Sequence, residues 1–226
     1  MEPFSPNQPP FKRVRIVGSG LIGTSIGLAL VAQGIEVDMR DIDNRAELLA
    51  RDLVNSQEIA DPEITILALP SSALAGALES EFSRNPASKF IDVGSVKTKP
   101  LLDVLTSSIP GSNFLATHPM AGREVGGAES ARADLFQSRS WVYLPVNLAG
   151  VPVGSDLISA GLWLIKALGA TPVAMEAREH DRAVALVSHL PQAVSSLLAA
   201  QLTSGDGSAL ALAGAGLRDT TRIAAS

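Results

Sequence analysis

The sequence contains no cysteine and only three histidines among its 226 residues. The lack of cysteine excludes disulfide bonds, thiolate metal sites and a cysteine nucleophile, and so few histidines make a histidine-rich metal site unexpected. Basic residues are also in short supply. The 18 Lys and Arg against 23 Asp and Glu give a formal net charge of -5. Because the basic residues are scattered, the chain lacks the basic stripe of a nucleic-acid-binding protein, and we expect no nucleic-acid partner.

Long apolar runs are missing as well. No uninterrupted apolar stretch approaches the roughly 20 residues that a membrane-spanning helix requires. Residues 1–10 hold four prolines and no apolar core, which is not the pattern of a signal peptide. We therefore predict a flexible N-terminal tail over residues 1–10, no membrane association and a cytoplasmic location.

A glycine-rich turn is the most informative feature that the sequence does contain. The β-branched run Val14–Val17 leads into Gly18-Ser19-Gly20-Leu21-Ile22-Gly23, and a helix-compatible segment, 24–33, follows it. In a strand–turn–helix setting, the first glycine makes the tight turn, the second lets backbone approach a pyrophosphate, and the third lets the helix pack on its strand. The helix N-terminus would then face the phosphates. We predict that residues 18–23 bind a dinucleotide.

Asp41 is predicted to select the kind of dinucleotide. It lies 18 residues after Gly23, at the end of the predicted strand Glu36–Arg40. A carboxylate there accepts hydrogen bonds from the ribose hydroxyls of adenosine and repels a 2′-phosphate, which favours NAD over NADP. Arg40 and Arg45 keep NADP open as an alternative, since an arginine can hold the extra phosphate.

Strand and helix patterns alternate up to residue 175, which predicts a doubly wound α/β domain with a parallel sheet over residues 11–175. Predicted strands are Val14–Val17, Glu36–Arg40, Ile64–Leu69, Lys89–Val93, Asn113–Ala116, Trp141–Leu144 and Thr171–Met175. Loops after parallel strands lie at one carboxyl edge, where such folds bind ligands; Pro70 and Ser71, after the third strand, are thus expected beside the cofactor. Residues 176–226 show only helical periodicity and are predicted to form a small helical segment.

Two polar residues follow the fourth and fifth strands at that same edge. His118, before Pro119, carries the side chain whose pKa near 6.5 best suits proton transfer near neutral pH. Hydride removal from an alcohol requires such an acceptor for the hydroxyl proton. Ser95 is a candidate to orient this imidazole or the substrate hydroxyl, although a serine in a turn also bonds its own backbone.

The helical segment offers two more kinds of candidate. His180 and His189, nine residues apart, point about 180° from each other on a regular helix, so only one can face a given cleft. We expect His189 to face the site, because Pro191 disturbs the backbone next to it, and His180 to be structural or solvated. Arg218 and Arg222 share one helical face, where they could bind an acidic substrate or simply be solvated.

Five stretches in this order resemble the prephenate/arogenate dehydrogenase family of tyrosine biosynthesis. The stretches are Gly18-x-Gly20-Leu21-Ile22-Gly23, Asp92-Val93-Gly94-Ser95-Val96-Lys97, His118-Pro119-Met120-Ala121-Gly122-x-Glu124, Ser188-His189-Leu190-Pro191 and Arg218-Asp219-Thr220-Thr221-Arg222-Ile223-Ala224. The resemblance implies a dinucleotide-binding domain, a helical dimerisation domain and a homodimer. Because this sequence ends soon after Ala224, we expect the helical domain to be truncated relative to the family.

The resemblance also implies an activity, NAD(P)-dependent oxidative decarboxylation of prephenate or arogenate. It implies that His118 accepts the proton of the ring hydroxyl, that Ser95 assists, and that His189 and Arg222 bind substrate carboxylate. Two alternatives remain. One is a catalytically silent NAD-binding or sensor module, and the other is a dehydrogenase for a different small hydroxy acid, for which Lys97 would be the central residue.

Overall fold

The computed structural model describes residues 8–204 and 211–225, so residues 1–7 of the predicted tail lie outside the described part. A seven-stranded sheet forms the centre of the molecule, in the order β2-β1-β3-β4-β5-β6-β7. The strands are β1 Arg13–Val17, β2 Glu36–Arg40, β3 Ile64–Leu67, β4 Lys89–Asp92, β5 Phe114–Pro119, β6 Ser140–Tyr143 and β7 Thr171–Ala174. The predicted doubly wound α/β fold is therefore confirmed, and every predicted strand is present.

The sheet is mixed, whereas the sequence predicts a parallel one. Strands β1 to β5 are parallel, β6 is antiparallel to β5, and β7 is parallel to β6. A parallel connection needs a crossover element, but residues 120–139 contain only a single helical turn, Ala128–Ser130. The chain therefore returns beside β5 in the opposite direction, and His118 pairs with Val142.

Helices cover both faces of this sheet. They are α1 Leu21–Val31, α2 Asn44–Val54, α3 Ser71–Arg84, α4 Thr98–Thr106 and α5 Ser155–Ala167. One hydrophobic cluster joins the sheet to α1, α2 and α5, and a second joins the other face to α3 and α4. Helix α3 is not predicted from the sequence, although Leu74, Leu78 and Phe82 recur at helical spacing, because Gly76 between them has a low helix propensity.

The described part of the helical segment begins with one long, irregular helix. It consists of α6 Ala177–Val184, a π-helix Ala185–His189 and α7 Leu190–Ser204. Pro191 accounts for the irregularity, because proline has no N–H and its ring clashes with the carbonyl four residues earlier in an α-helix. A wider π-turn relieves both problems. Helix α8, Ala215–Thr221, and a final helical turn, Arg222–Ala225, pack against α7.

Apolar side chains on the long helix are exposed. Leu186, Val187 and Leu197 are each more than 60% accessible. The helix is anchored at its beginning, where His180 and Val184 are buried, and further along at the buried Ser195. By length and composition alone, Ala177–Leu202 could cross a membrane, with a mean hydropathy of 1.5. A single such helix is weak grounds for a membrane span, and an exposed apolar face equally indicates an uncovered protein interface.

Candidate active site

The carboxyl ends of the parallel strands bring the predicted loops together at one edge of the sheet. In the strand register, Val17 lies between Arg40 and Leu67, and Leu67 pairs with Asp92. The glycine turn after β1 is thereby flanked by Asp41 on one side and by the loop with Pro70 and Ser71 on the other. Pro70 directly precedes α3 and, like Ser71, is exposed.

The glycine turn has the shape that a pyrophosphate requires. Gly18 has a φ of +110°, and a Cβ atom there would lie 2.2 Å from the carbonyl oxygen of Ala68. A Cβ at Gly23 would lie 1.9 Å from the carbonyl oxygen of Gly18, whereas nothing lies within 4 Å of one at Gly20. Backbone atoms therefore pack closely against Gly18 and Gly23, whereas the space beside Gly20, at the N-terminus of α1, is open. The buried hydroxyl of Ser19 has no hydrogen-bond partner in the described structure, which fits a missing polar group at this place.

Asp41 is fixed by the backbone of the glycine turn and of its own loop. The Ser19 N–H donates to Oδ2 at 2.6 Å, the Asp43 N–H donates to Oδ1 at 2.9 Å, and the Asp41 N–H donates to Glu47. Each carboxylate oxygen has more than one lone pair. The carboxylate can therefore still accept hydrogen bonds from two ribose hydroxyls in this orientation.

The two arginines that kept NADP open differ in their surroundings. The Arg40 guanidinium contacts Asp38 at 3.0 Å and Glu58 at 3.2 Å, so its charge is already compensated. Arg45 is exposed, and its side chain forms no ion pair with any residue of the described ranges. The structure thus removes Arg40 as a ready partner for a 2′-phosphate.

His118 is the first member of a hydrogen-bonded chain of three side chains. Its Nδ1 lies 2.9 Å from Nε2 of His180, and Nδ1 of His180 lies 2.9 Å from Oδ1 of Asp181. The Asp181 carboxylate in turn accepts the backbone N–H groups of Lys97 and Thr98, at 2.8 and 2.9 Å. His180 is fully buried. Of the two alternatives expected for His180, the structural one is therefore found, and in addition this histidine contacts His118 directly.

A buried ion pair holds the backbone next to His118 in place. The Lys97 ammonium, which is wholly buried, contacts the Asp92 carboxylate and donates to the Thr117 carbonyl oxygen at 2.6 Å. The Thr117 hydroxyl donates to the Asp92 carbonyl oxygen and accepts the indole N–H of Trp141 at 3.0 Å. The residue before His118 is thus held by three contacts. Because the Lys97 ammonium is occupied by these contacts, it is not free to act on a substrate.

Burial and positive charge keep the His118 imidazole neutral. Burial, together with the neighbouring Lys97 ammonium, lowers the pKa of His118 from 6.5 to about 3. Burial likewise lowers the pKa of His180, against the opposing effect of Asp181. Burial alone would raise the pKa of Asp181, but hydrogen bonds from Thr98, His180 and Lys97 bring it down to about 2. Near neutral pH the hydrogen-bonded side chains His118, His180 and Asp181 are therefore two neutral imidazoles and one carboxylate.

Of the two parts predicted for Ser95, the structure does not show the contact with the His118 imidazole. Its side chain is exposed, and within residues 8–204 and 211–225 no hydrogen bond joins it to His118. Nδ1 of His118 is already bonded to His180, so this nitrogen has no room for a second partner. Ser95 remains at the same edge of the sheet, where a bound substrate could still reach it.

The two predicted carboxylate-binding residues lie on the helical segment. His189 is exposed at the end of the π-helix. Nη1 of Arg222 lies 2.5 Å from Oε1 of Glu124, in the loop that follows β5. Arg222, Glu124 and Gly122 line a cleft of about 530 Å³. Arg222 is thus paired with the carboxylate of Glu124 at this cleft.

Sequence reasoning missed the part played by His180 and Asp181. A signal was present, because a histidine next to an aspartate near the start of a helix can form a hydrogen-bonded pair. What the sequence could not show is that α6 contacts α4. That contact places the pair against His118, 62 residues earlier in the chain.

Comparison with known proteins agrees with this geometry. Residues 26–151 match the family model described as prephenate dehydrogenase, nucleotide-binding domain, and residues 176–226 match prephenate dehydrogenase, dimerization domain. The Streptomyces niveus protein named probable prephenate dehydrogenase NovF is 37% identical over 206 residues, which cover 88% of this chain and 55% of that protein. Cyclohexadienyl dehydrogenase of Zymomonas mobilis is 27% identical, over 96% of this chain and 77% of that protein.

Solved structures show the same fold. Prephenate dehydrogenase from A. aeolicus, in complex with hydroxyphenyl propionate and NAD+, has a TM-score of 0.82 at 24% identity, covering 95% of this chain and 78% of that one. Synechocystis arogenate dehydrogenase has a TM-score of 0.72 at 26% identity, covering 93% and 78%. The chain spans just over half the length of its Streptomyces relative. Because the first family model alone covers more than half of its residues, the chain belongs to the prephenate dehydrogenase family.

Proposed function

We propose that this protein catalyses the NAD-dependent oxidative decarboxylation of prephenate or arogenate in tyrosine biosynthesis. The observation that carries the proposal is the position of His118 at the ligand-binding edge of a dinucleotide-binding fold. Its imidazole is neutral, and its Nδ1 is hydrogen-bonded to His180. Family membership supports the same reaction. An uncharged imidazole can accept a proton, whereas an imidazolium cannot.

The cofactor is proposed to be NAD, with its pyrophosphate over residues 18–23 and its adenosine ribose on Asp41. The open space above Gly20, the unpartnered Ser19 hydroxyl and the oriented Asp41 carboxylate support this placement. Leu21 and Ile22 contribute backbone at the start of α1, and Pro70 and Ser71 border the cofactor from the neighbouring loop. When bound, NAD supplies the hydride acceptor for the reaction.

The proton of the ring hydroxyl is proposed to move to His118. As the carbinol carbon loses hydride, Nε2 of His118 takes the hydroxyl proton, because its Nδ1 is already engaged with His180. Loss of carbon dioxide then leaves its bonding electron pair in the ring, which becomes aromatic. The proton returns from His118 to the resulting phenol oxygen, so the overall step consumes no proton. Ser95 is proposed to contact the substrate hydroxyl from the exposed loop after β4.

His189 and Arg222 are proposed to bind substrate carboxylate. The Arg222 guanidinium now contacts Glu124 across the cleft, and a substrate carboxylate would replace this partner. Arginine suits the task because its planar group binds a carboxylate through two parallel hydrogen bonds. His189 lies exposed on the same helical segment and would supply a further donor.

The assembly is proposed to be a homodimer formed through residues 176–226, with residues 11–175 as the dinucleotide-binding domain. The match to a dimerization domain and the exposed apolar side chains of the long helix support this division. A partner chain would cover Leu186, Val187, Leu190, Val194 and Leu197, which are between 48% and 66% accessible. With this apolar face covered by a partner chain, the proposed location of the dimer is the cytoplasm.

The deciding experiment incubates the purified protein with prephenate or arogenate and with NAD or NADP, and follows absorbance of the reduced cofactor. We expect turnover with NAD and a strong loss in His118→Asn, about 10²–10⁴-fold in kcat, with unchanged NAD affinity. NAD binding without turnover on either substrate would instead identify a silent NAD-binding module. Near-normal turnover in His118→Asn would refute the assigned proton acceptor.

A further inference from the structure

Two side chains of α6, His180 and Asp181, contact the nucleotide-binding domain at the point where its proposed proton acceptor lies. His180 is fully buried and Asp181 is partly buried. Asp181 accepts the N–H groups of Lys97 and Thr98, which are the first free donors of α4. One carboxylate therefore docks the helical segment on α4 and also contacts His180.

The hydrogen bonds allow only one set of tautomers when Asp181 is ionised. A carboxylate is an acceptor only, so Nδ1 of His180 must carry the proton that points at Asp181. Nε2 of neutral His180 is then an acceptor, and Nδ1 of His118 must donate to it. This leaves the lone pair of His118 on Nε2, the nitrogen that faces away from the chain of hydrogen bonds.

Other charges near His118 do not supply this orientation. The Lys97 ammonium donates to Asp92 and Thr117 and offers no acceptor. His189 influences His118 only through its charge, without a hydrogen bond among the described residues. The two contacts that could set the tautomer of His118 are therefore those of His180 and, through it, Asp181.

We propose that His180 and Asp181 are positioning residues that hold His118 in the Nδ1–H tautomer and so make its Nε2 the proton acceptor. This inference rests on the proposed function for its kinetic consequence, but the tautomer itself is a property of the protein without substrate. His118 belongs to the dinucleotide-binding domain, whereas the carboxylate that fixes its tautomer belongs to α6 of the helical segment.

The direct test is nitrogen-15 NMR of the full chain labelled on histidine. The chain contains only three histidines, so His118→Asn and His189→Gln assign every imidazole. We expect both His118 and His180 to be Nδ1–H tautomers at pH values around the ordinary histidine pKa, from about 6 to about 8. An Nε2–H tautomer at His118 in the unmodified protein would overturn the proposal, whether or not the protein turns over prephenate.

Substitutions then connect the tautomer to turnover. Asp181→Asn leaves one acceptor oxygen for the three N–H groups of Lys97, Thr98 and His180. The proton on Nδ1 of His180 is then no longer required, so both imidazoles can change tautomer, and we expect kcat to fall about 10²-fold or more with NAD affinity unchanged. His180→Phe removes the acceptor and should cause a similar loss, whereas His180→Gln restores an acceptor oxygen and should recover at least a tenth of the activity. Glu179→Gln, a neighbouring exposed residue, is the matched control and should leave kcat unchanged.

Three results separate this inference from a purely structural role. A structural role predicts that all His180 variants lose activity in proportion to their lost thermal stability, with no change in the His118 nitrogen shifts. Equal loss in His180→Gln and His180→Phe, at equal Tm, would refute the proposal. If no variant and no unmodified protein shows turnover but His118 is the Nδ1–H tautomer, the proposed reaction fails and the positioning inference stands.

Discussion

Replacing Lys97 by methionine tests how the buried ion pair supports the site. Lys97 is wholly buried and Asp92 is 1% exposed, so the substitution leaves a carboxylate without its cation in a region closed to water. Breaking a buried pair in this way costs about 3–5 kcal/mol. For a chain of this size, a change of about 1 kcal/mol corresponds to about 2–4 °C. We therefore expect Tm to fall by ~6–20 °C.

The double variant Lys97→Met/Asp92→Asn separates the ion pair from packing. The side-chain oxygen of the introduced asparagine can still accept the Gly94 N–H that Asp92 now accepts at 2.9 Å, and no unpaired charge remains. Because replacing both charges of a buried pair is often nearly neutral, we expect the double variant to regain most of the lost stability. Lys99→Met is the control: Lys99 is 61% exposed and pairs with Asp103 on the surface, so the change should stay within about 1 kcal/mol.

The assays are thermal unfolding, which gives Tm, and urea unfolding, both followed by circular dichroism at one fixed protein concentration. Equal m values show that the variants unfold from equally compact states, so that differences in midpoint report stability. A loss of less than about 1 kcal/mol in Lys97→Met would contradict a buried, charged pair. A double variant as unstable as the sum of the two single variants would show that the side chains act independently. Because the Lys97 ammonium helps to lower the pKa of His118, NMR titration should also show that pKa rising in Lys97→Met.

Three further predictions follow from the cofactor loop, the long helix and His118. Asp41→Ser should lower kcat/KM with NAD by about 10–100-fold, since hydrogen bonds to charged groups contribute about 1.5–3 kcal/mol; an unchanged NAD-to-NADP ratio of kcat/KM would contradict the assigned ribose contact. Leu190→Asp with Leu197→Asp should convert a dimer to a monomer in sedimentation experiments, whereas a monomeric unmodified protein would disprove the interface. The pKa of His118 is about 3 in the folded protein and near 6.5 when unfolded. The unfolded chain therefore binds the proton first, stability falls as pH drops from about 6.5 towards about 3, and urea midpoints should fall less in His118→Asn.

Much of the dinucleotide turn and of the loops beside it could be predicted from the sequence. The glycine turn, the end of β2 at Arg40 and the loop at Pro70 each depend on short-range features: β-branched runs, glycines where a Cβ has no room, and a proline that cannot continue a strand. Parallel strands then bring those loops to one edge without any knowledge of side-chain contacts. The antiparallel direction of β6 was not predictable in this way, because an apolar strand has the same pattern in either direction.

The surroundings of His118 depend on contacts between distant residues, which no local sequence pattern contains. Helical spacing leaves His180 and His189 as competing candidates. Only the contact of α6 with α4 shows that His180 lies against His118, which is 62 residues earlier in the chain. The family resemblance implies that Ser95 assists His118, but only the structure shows that Nδ1 of His118 is bonded to His180, so that assistance by Ser95 through the substrate hydroxyl stays a prediction. The Lys97 alternative is likewise removed only by the structure, which buries its ammonium against Asp92.

By itself, the sequence determined the succession of the seven strands along the chain, the dinucleotide turn, the carboxylate at Asp41 and the loop that carries His118. The tertiary structure alone decided which imidazole supports His118, that Lys97 is unavailable to a substrate, and that Arg222 meets Glu124 across 98 residues of chain. The physical reason is the range of the interactions. Turns and strands are fixed by residues a few positions apart, whereas proton acceptors and ion pairs are set by the packing of distant elements, which hydrophobic periodicity does not encode.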